Sequence, residues 1–503
     1  MTLYMWLVVI VSILTIFLYL VHKYTSRNYE YWAKRKVPFI KPKPIFGNFW
    51  ELATLQKSIG TFLEGLYNEI SEPFFGIYIF CKPCLIVRCP KLIRSILIND
   101  FSSFPDRTAA SCRHDSLVHS MLFFSNNPLW KDTRKLISPL FASGKLKEMF
   151  PLINNTGDEM NKYIAKHLRE VVNCKEICSK FSTDVIAKCA FSIDAYSFEE
   201  EGDFEKNGAA IFEFSVRNAI SQISYFFLPQ LVKWFRLTFM PKAVNEFLTK
   251  VFSNTIKERE ESEQKNNDLI DIILELRNNK EFIGKYNFDG PMEISQAAQF
   301  FLAGFETTSS TMSYTLYQLS IHPKIQQKLR AEISCSIEKH NGITYEGLQE
   351  MTYLHMCVSE TLRMYPVLPF LDRLCTKDYQ IPGTEVTIEK GTPIYIPMFG
   401  LHYDPAYFPY PKNYNPDRFK GTSINKEGLA YLPFGEGPRK CIGERFGMMS
   451  TKLGLAKILS EYEVFATAQT PIPLIYEPKS FVLASRVGLP VKFRKCECVF
   501  KDI

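Results

Sequence analysis

The chain has 503 residues, of which 46% are hydrophobic and 22% are charged, and its formal net charge is +7. This composition is that of a globular protein and excludes a disordered chain, and the modest charge, without a nucleic-acid-binding motif, gives no support for nucleic-acid binding. The 13 cysteines are too scattered for a small disulfide-rich secreted scaffold, so we expect most of them to be reduced.

The N-terminal segment is apolar enough to cross a membrane. Leu3 to Val21 is interrupted only by Ser12, Thr15 and two tyrosines, and a helix of this length spans roughly 29 Å. Basic residues follow the segment but do not precede it, and no small-residue cleavage site is evident, which argues against a signal peptide. The segment therefore predicts a transmembrane anchor over residues 1–22, and the positive-inside rule predicts that the body is cytoplasmic.

A linker and one large domain follow this anchor. Residues 23–48 are basic and rich in proline, which predicts a stiff, extended connection. No Pro/Gly/Ser-rich boundary divides residues 49–503, so we expect a single domain there. Phe74 to Cys89 is rich in β-branched and aromatic residues and predicts a β-hairpin with its turn at Lys82-Pro83.

The next part of the chain combines a long irregular segment with amphipathic helices. Phe104 to Pro128 has no periodicity but is partly apolar, which is typical of a functional loop. Trp130 and Arg134 fall one turn apart on a predicted helix, where they either serve a buried carboxylate or make a surface cation–aromatic contact. Tyr225 to Met240 is aromatic around a proline break, and its helices either cover the active site and contact the bilayer or simply pack in the core.

A long apolar helix is predicted over Glu293 to Leu319. Its centre, Ala303-Gly304-Phe305-Glu306-Thr307-Thr308, combines a glycine with hydroxyls that compete for backbone carbonyls. We therefore expect a local widening of this helix that makes room for a small ligand. An acid next to an alcohol then provides a route for protons; alternatively, Glu306 pairs at a kink and the threonines only pack.

Three later segments carry charged residues at defined spacing. Glu360 and Arg363 lie one turn apart on a helix that ends before Pro366, and Arg418 follows in Pro416-Asp417-Arg418-Phe419. Arg373 precedes strand-like segments. Lys479 to Phe493 alternates as a terminal β-hairpin would.

The last motif is a cysteine in a run of glycines and prolines. We call Pro433–Gly443 the cysteine loop; its Cys441 follows Arg439 by two residues, and an apolar helical run begins at Phe446. A thiolate needs positive surroundings and close backbone N–H donors, which flanking glycines permit. The pattern predicts a metal-ligating loop; the alternative is an ordinary turn around a small core residue.

Together these segments resemble the cytochrome P-450 superfamily. The cysteine loop has the Phe-x-x-Gly-x-Arg-x-Cys-x-Gly pattern of the haem-binding loop of that family, and Ala303–Thr308 matches its oxygen-handling hexad. Glu360-x-x-Arg363 and Pro416–Phe419 occur in the order found in the family, with Asp417 where the family often has Glu. The resemblance covers the whole chain and is strongest to insect microsomal, xenobiotic-oxidising members.

The resemblance implies a mainly α fold with a small β-rich subregion, as one large domain behind an N-terminal membrane anchor, that binds haem b (iron protoporphyrin IX). It implies Cys441 as the thiolate ligand, Thr307 as the residue that stabilises activated dioxygen, and Glu306 as the proton-relay partner of Thr307. The other implied residues form three groups: haem contacts Trp130, Arg134, Arg373, Phe434 and Arg439; the structural triad Glu360, Arg363 and Arg418; and substrate-pocket residues Phe123, Phe301, Ala303 and Phe481.

The implied activity is insertion of one oxygen atom from dioxygen into an apolar small molecule, with electrons from NADPH-cytochrome P-450 reductase. Cytochrome b5 is allowed as a second partner, and the implied location is the endoplasmic reticulum membrane. Plant toxins, insecticides, lipids and hormones all remain open as substrates. The basic residues around the cysteine loop are candidate contacts for the acidic reductase: Arg439, Lys440, Arg445 and Lys452. Alternatively, Lys440 and Lys452 are only solvated charges.

Two other functions fit parts of the pattern. A reductase-independent haem-thiolate isomerase or dehydratase would share Cys441 but would not need the Glu306–Thr307 pair. A non-catalytic membrane protein that binds haem would need no open coordination position. The presence of the acid–threonine pair favours the monooxygenase.

Overall fold

Helices make up most of the architecture. The computed structural model describes residues 2–199, 202–262, 264–279, 282, 285, 286, 288, 290–421 and 428–496. The longer helices are Thr2–Ser26, Ile59–Glu69, Leu129–Ile137, Ser143–Lys166, Cys174–Phe191, Asp203–Ile211, Val216–Phe227, Pro229–Phe235, Lys242–Ser262, Leu269–Arg277, Gly290–Ile321, Pro323–His340, Thr352–Met364 and Glu444–Glu461. Shorter helical turns are Tyr31–Lys34, Trp50–Ala53, Pro90–Arg94, Ser95–Asn99, Phe101–Ser103, Ser116–His119, Ser138–Phe141, Tyr345–Glu350, Met398–His402 and Pro416–Phe419.

The strands form three small sheets. They are β1 Phe74–Ile79, β2 Lys82–Val87, β3 Val172–Asn173, β4 Leu371–Leu374, β5 Tyr379–Gln380, β6 Thr387–Ile388, β7 Pro393–Ile396, β8 Tyr462–Ala466 and β9 Pro490–Lys495. Their orders are β1-β2-β7-β4, β3-β9-β8 and β5-β6. Only β2 and β7 run parallel among these pairs of described strands. The predicted mainly α fold with a small β-rich subregion is confirmed.

The first hairpin forms, but its turn lies two residues earlier than predicted. Ile79 pairs with Lys82 and Tyr78 pairs with Pro83, so Lys82-Pro83 opens β2 and the turn is Phe80-Cys81. Phe80 adopts a left-handed φ of 53°, which lets the chain reverse there. Proline is tolerated in Lys82-Pro83 because it stands near the start of the strand, where a missing N–H costs least.

The predicted terminal hairpin is wrong. Pro490–Lys495 pairs with Tyr462–Ala466 instead of with the residues just before it, and Val464 lies opposite Phe493. Tyr476 and Ser485 are joined by one isolated bridge. The alternation in the tail is real, but the partner strand lies on another part of the chain, which alternation alone cannot identify.

The central helix, Gly290–Ile321, is the element around which the others pack. Among the other helices, Cys174–Phe191 packs most extensively against it. Gly304 makes this close approach possible, because a Cβ at that position would lie 2.8 Å from the Ile186 side chain. The helix is continuous, so the predicted local widening is absent. The Thr307 hydroxyl donates to the Ala303 carbonyl at 2.6 Å, which adds to the helical hydrogen bonds without opening them.

The N-terminal helix, Thr2–Ser26, stands apart from the domain. Within the described residues, it alone is long and apolar enough to cross a membrane, and its apolar side chains are exposed. The helix that follows, Tyr31–Lys34, packs onto the domain, where Trp32 is buried and its indole N–H donates to the Ile77 carbonyl at 3.1 Å. The segment that follows the apolar helix is therefore packed against the domain and is not a free linker at this point.

Candidate active site

The cysteine loop is shaped by glycine. Gly437 has a φ of 76°, and a Cβ there would lie 1.9 Å from the Leu97 carbonyl oxygen, so no other residue fits without a shift of the backbone. The Cys441 N–H donates to the Phe434 carbonyl at 2.9 Å and closes the loop. The loop ends where the helix Glu444–Glu461 begins. This geometry turns Cys441 toward a cavity, which its side chain and Phe434 both line.

The Cys441 thiol sits in a desolvated but partly compensated environment. Although Cys441 is exposed to the cavity, desolvation by the protein atoms around the thiol raises its pKa, and Glu444 raises it further. The Gly443 N–H and the charges of Arg134 and Lys440 lower the pKa, although they do not reverse the effect of burial. A bound metal cation deprotonates a coordinating thiol outright. The donor set therefore suits a thiolate that is stabilised by a metal ion.

The cavity has a volume of about 370 Å³ and a mainly aromatic and aliphatic wall. Its lining comes from the cysteine loop, from the central helix and from the segment Phe104–Pro128, which we call the roof loop. Thr307 and Ala303 are exposed to this cavity, one helical turn apart. The structure thus brings Cys441 and Thr307 to one chamber.

Glu306 is held by an ion pair that the sequence did not reveal. Its Oε2 lies 2.9 Å from Lys175 Nζ, and its Oε1 accepts a hydrogen bond from the Ser310 hydroxyl at 2.8 Å. Lys175 also donates to Ser309 at 2.5 Å. The Lys175 side chain is 27% exposed and that of Glu306 is 6% exposed, so this network runs from the surface to the buried carboxylate.

Two arginines with incomplete hydrogen bonding line the same cavity. Arg373 donates to the Asp372 carbonyl at 2.8 Å, while Arg439 donates to the Pro105 carbonyl at 2.6 Å. Among the described residues, the buried Nε of Arg373 and Nη1 of Arg439 have no partner. Burial, with repulsion from Arg107, lowers the pKa of each guanidinium to about 9. Both groups would gain from an anion placed in the cavity.

The surrounding charges define how much negative charge the site can take. Arg107 pairs with Asp372 at 2.8 Å and Arg439 pairs with Asp106 at 3.3 Å. Arg134, whose pKa is lowered by burial, donates to the Lys440 carbonyl at 2.7 Å. Four arginines and two aspartates leave a formal charge of 4 − 2 = +2, which the two propionates of haem would neutralise. By donor type and by charge, these residues fit a haem.

Trp130 lies within this cluster. Its ring stands 4.3 Å from the Arg439 guanidinium and 6.0 Å from that of Arg134, and it lines the cavity. The helix Leu129–Ile137 presents both Trp130 and Arg134 on one face. The predicted cation–aromatic contact between Arg134 and Trp130 is therefore present, but its predicted position at the surface is wrong, since Trp130 is 5% exposed.

Phenylalanine forms the roof of the cavity. Phe123 lies under the Arg107 guanidinium at 4.0 Å, and Phe481 packs on Phe226 at 5.7 Å and Phe239 at 5.4 Å. All five of these residues line the cavity. Phe226 and Phe239 come from the segment Tyr225 to Met240, so the interpretation that this segment covers the site is confirmed. Aromatic rings from three separate segments thus converge above the cysteine loop.

The prediction for Phe301 is wrong. This residue is fully buried and packs against Phe204 at 5.5 Å and Phe305 at 5.9 Å, away from the cavity. Leu302 and Ala303 line the cavity instead. Neighbouring positions of the helix lie on different faces, one packed in the core and one toward the cavity. Apolar residues occur on both faces, so the sequence pattern does not show which face meets the cavity.

A buried triad supports the cysteine loop. Glu360 binds Arg363 at 2.8 Å and Arg418 at 3.0 Å, and the carboxylate and Arg363 are fully buried. Arg363 donates to the His402 carbonyl at 2.8 Å, and His402 Nε2 accepts from the Leu432 N–H at 3.1 Å. Burial lowers the pKa of His402 to about 3, so the ring stays neutral and can accept that bond. The triad is thereby connected to the residue that precedes the cysteine loop.

Two of the four predicted reductase contacts are not available on the surface. Arg439 lies in the arginine cluster, and Lys452 is buried, donates to the Leu348 carbonyl and has its pKa lowered by burial to about 8. Lys440 pairs with Glu436 at 3.3 Å and Glu444 at 2.9 Å. The reading of Lys452 as a solvated charge is wrong for the same reason. Lys452 lies on the face of the helix Glu444–Glu461 that is turned toward the protein interior.

Comparison with known proteins supports one family for this fold and site. The family model described as "Cytochrome P-450" matches residues 37–489. The protein named cytochrome P-450 6k1 of Blattella germanica is 40% identical over 493 residues, which cover 94% of this chain and 94% of the relative. The probable cytochrome P-450 6g2 of Drosophila melanogaster is 37% identical over 491 residues, which cover 93% and 95% of the two chains.

Proposed function

The chain belongs to the cytochrome P-450 family and is an oxidoreductase of the monooxygenase type, and we propose that it depends on NADPH-cytochrome P-450 reductase and oxidises apolar small molecules. The observation that carries this proposal is the convergence of Cys441, Thr307 and two incompletely bonded arginines on one cavity. A thiolate, a hydroxyl and anion-binding groups in one apolar chamber are what oxygen activation on a haem requires.

The family implies a haem-thiolate cofactor, and we assign haem b to this cavity. Cys441 would bind the iron, while Arg134, Arg373 and Arg439 would hold the propionates beside Trp130. When bound, the haem supplies the centre at which dioxygen is reduced. The protein supplies the charge that holds the propionates and the apolar walls that exclude water.

Thr307 and Glu306 manage protons in this proposal. The Thr307 hydroxyl faces the cavity while it donates to Ala303, so rotation about its side chain presents the proton to a ligand. Glu306 receives protons from solvent through Lys175 and Ser310. Thr307→Ala should retain haem but release more hydrogen peroxide per NADPH consumed. Unchanged peroxide release would exclude this role for the hydroxyl.

The cavity walls favour apolar substrates. Phe123, Phe226, Phe239 and Phe481 provide ring surfaces on which flat or branched hydrocarbon groups can pack. We propose xenobiotics such as plant toxins or insecticides, or endogenous lipids or hormones, as the classes to test. A spectral binding screen that covers each class with haem-loaded protein will identify the preferred one.

We place the reductase contact on the helix that carries Trp130 and Arg134. Lys131 and Lys135 are exposed on this helix, which separates the cavity from the surface. An acidic partner, either the reductase or cytochrome b5, can dock there by charge complementarity. Lys131→Glu with Lys135→Glu should raise the reductase concentration that gives half-maximal turnover, most strongly at low salt. Lys242→Glu, at an exposed lysine on the helix Lys242–Ser262, is the matched control.

We propose that residues 1–22 anchor the protein in the endoplasmic reticulum membrane, that 23–48 are the linker and that 49–503 form the cytoplasmic catalytic domain. The exposed, apolar helix Thr2–Ser26 supports the anchor, and exposed Trp234 and Phe235 supply a second lipid contact. Protease treatment of sealed microsomes should digest the domain without detergent. Protection of the domain would place it in the lumen and contradict the proposed topology.

Turnover with labelled oxygen tests the reaction itself. Haem-loaded protein, reductase, NADPH and an accepted substrate should yield a product with one oxygen atom from dioxygen, at one NADPH per product. A substrate rearranged without NADPH would indicate an isomerase or dehydratase. Haem-loaded protein that neither consumes NADPH nor converts any substrate would indicate a haem-binding role.

A further inference from the structure

A buried carboxylate joins the roof loop to the helices above the cavity. Asp115 in the roof loop is 3% exposed, and its Oδ2 accepts hydrogen bonds from the Tyr225 hydroxyl at 2.7 Å and from the Phe239 N–H at 2.8 Å. Tyr225 belongs to the helix Val216–Phe227, and Phe239 follows the helix Pro229–Phe235. One carboxylate therefore binds three segments that are separate in the chain.

Two weaker connections follow the same boundary. The Ala110 N–H donates to the Tyr225 carbonyl at 2.7 Å, and the His114 Nε2–H donates to the Leu237 carbonyl at 2.8 Å. We call this boundary the seam: Ala110, His114 and Asp115 on the side of the roof loop, and Tyr225, Leu237 and Phe239 on the side of the helices. Asp115 makes the only charge-assisted bonds among these contacts, and such bonds are about twice as strong as neutral ones.

The seam lies directly behind the cavity wall. The Tyr225 ring packs against Phe124 at 5.9 Å and Phe239 at 5.3 Å, and both of those residues line the cavity. Phe226, the neighbour of Tyr225 in the helix, lines it too. Separation of the roof loop from the helices would therefore move aromatic rings that face the substrate chamber.

The closed seam also has one energetically unfavourable feature. Among the described residues, the buried Oδ1 of Asp115 has no hydrogen-bond partner. A buried carboxylate oxygen without a partner is unfavourable, and water would satisfy it when the seam opens. The two bonds at Oδ2 favour the closed state while Oδ1 favours the open state, which is the balance expected of an element with two accessible states.

We propose that Asp115 and Tyr225 determine substrate specificity by controlling how fast the seam opens, so that bulky apolar molecules enter the cavity only through the open state. This inference rests on the proposed function, because it takes the cavity as the substrate chamber. Small molecules that fit through the closed wall would not depend on the seam. Size selection would then lie in the association rate, in addition to the shape of the cavity.

Two imidazoles of different size test the proposal on haem-loaded, full-length protein. Imidazole and clotrimazole, which carries a bulky triphenylmethyl group, bind haem iron through the same type of nitrogen and produce a spectral shift that stopped-flow can follow. Tyr225→Phe should raise the association rate of clotrimazole by at least about ten-fold, the effect of one lost hydrogen bond to a charged group, and leave the rate for imidazole unchanged. The Asp115→Ala variant should act in the same direction.

Tyr395→Phe is the matched control. The Tyr395 hydroxyl is also buried and donates to the Phe226 carbonyl at 3.0 Å, but it bonds strand β7 to the helix and not to the roof loop. Its loss should leave both association rates unchanged. Tyr225→Phe should have no further effect in the Asp115→Ala background, because the two residues act through one hydrogen bond.

Hydrogen exchange gives a second readout that does not require ligand binding. Backbone amides of residues 108–124 should exchange faster in Tyr225→Phe than in Tyr395→Phe. Equal acceleration of both imidazoles, no acceleration of clotrimazole, or unchanged exchange would each overturn the proposal. If imidazole itself causes no spectral shift in haem-loaded wild-type protein, the iron has no accessible position, and the proposed monooxygenase function fails instead.

Discussion

Substitution of Lys175 by Met tests how the protein holds its buried acid. The ammonium of Lys175 lies 2.9 Å from Glu306, whose side chain is 6% exposed, and Met keeps the length of the side chain while it removes the charge. Removal of one partner from a buried ion pair costs about 3–5 kcal/mol. Because Ser310 still donates to Glu306 at 2.8 Å, we expect the lower end, about 3 kcal/mol.

Urea unfolding at neutral pH, followed by circular dichroism, measures this loss. The control is Lys162→Met on the helix Ser143–Lys166, whose pair with Glu159 is exposed, with side chains 69% and 49% accessible, and should leave the unfolding curve unchanged. In the Lys175→Met background, Glu306→Gln removes the uncompensated charge and should restore most of the stability. The reasoning is refuted if Lys175→Met behaves like Lys162→Met, or if Glu306→Gln makes the double variant less stable still.

Three further predictions follow from the site and its support. Arg373→Leu should weaken haem retention at least about ten-fold, because the guanidinium that would bind a propionate is lost. It should also stabilise the haem-free protein, because burial disfavours the uncompensated charge of Arg373. Haem titration measures the first effect and urea unfolding measures the second. The pKa of His402 falls from 6.5 to about 3 on folding, so the unfolded chain binds the proton first and the folded protein loses stability as pH falls below about 6.5. Between about pH 7.5 and 5.5, this residue alone should lower the free energy of unfolding by about 1.4 kcal/mol. His402→Asn should remove this part of the pH dependence. Gly437→Ala should destabilise by at least about 2 kcal/mol, since its φ is 76° and its Cβ would meet the Leu97 carbonyl, whereas Gly144→Ala in open space should not destabilise, as thermal unfolding would show.

Local spacing was sufficient to predict the cysteine loop, whereas the mainly α fold was an implication of the family resemblance that the motifs carry. The glycines around Cys441, the turn between Glu360 and Arg363, and the apolar length of the N-terminal segment each depend on residues close in sequence. Their physical requirements are also local: a backbone that can approach the thiol, two side chains one turn apart, and enough residues to span a bilayer. Features of this kind can be recognised directly from the sequence.

Features that depend on which surfaces meet were not predictable in the same way. Phe301 and Ala303 are two positions apart on one helix, yet only Ala303 faces the cavity, because the opposite face packs on Phe204. Gly304 accommodates a neighbouring helix and does not widen its own. Lys175 meets Glu306 only through the packing of the helix Cys174–Phe191 on the central helix, so no motif on either segment indicates the pair.

The buried charge of Lys452 illustrates the same limit. Beside the cysteine loop in sequence, a lysine is most simply interpreted as a surface contact for an acidic partner. The helix Glu444–Glu461 turns this residue inward, where it donates to the Leu348 carbonyl and is 6% exposed. Helical phase relative to neighbouring elements, and not residue type, decides between the two roles.

The central claim is that the Cys441 thiolate binds haem iron in this cavity, and the carbon-monoxide difference spectrum of the reduced protein tests it most directly. Wild-type protein should give a Soret band shifted well to the red, which reports a thiolate ligand and an open position for carbon monoxide. Cys441→Ser should lose that band. A red-shifted band that survives in Cys441→Ser, or its absence from fully haem-loaded wild-type protein, would contradict the account.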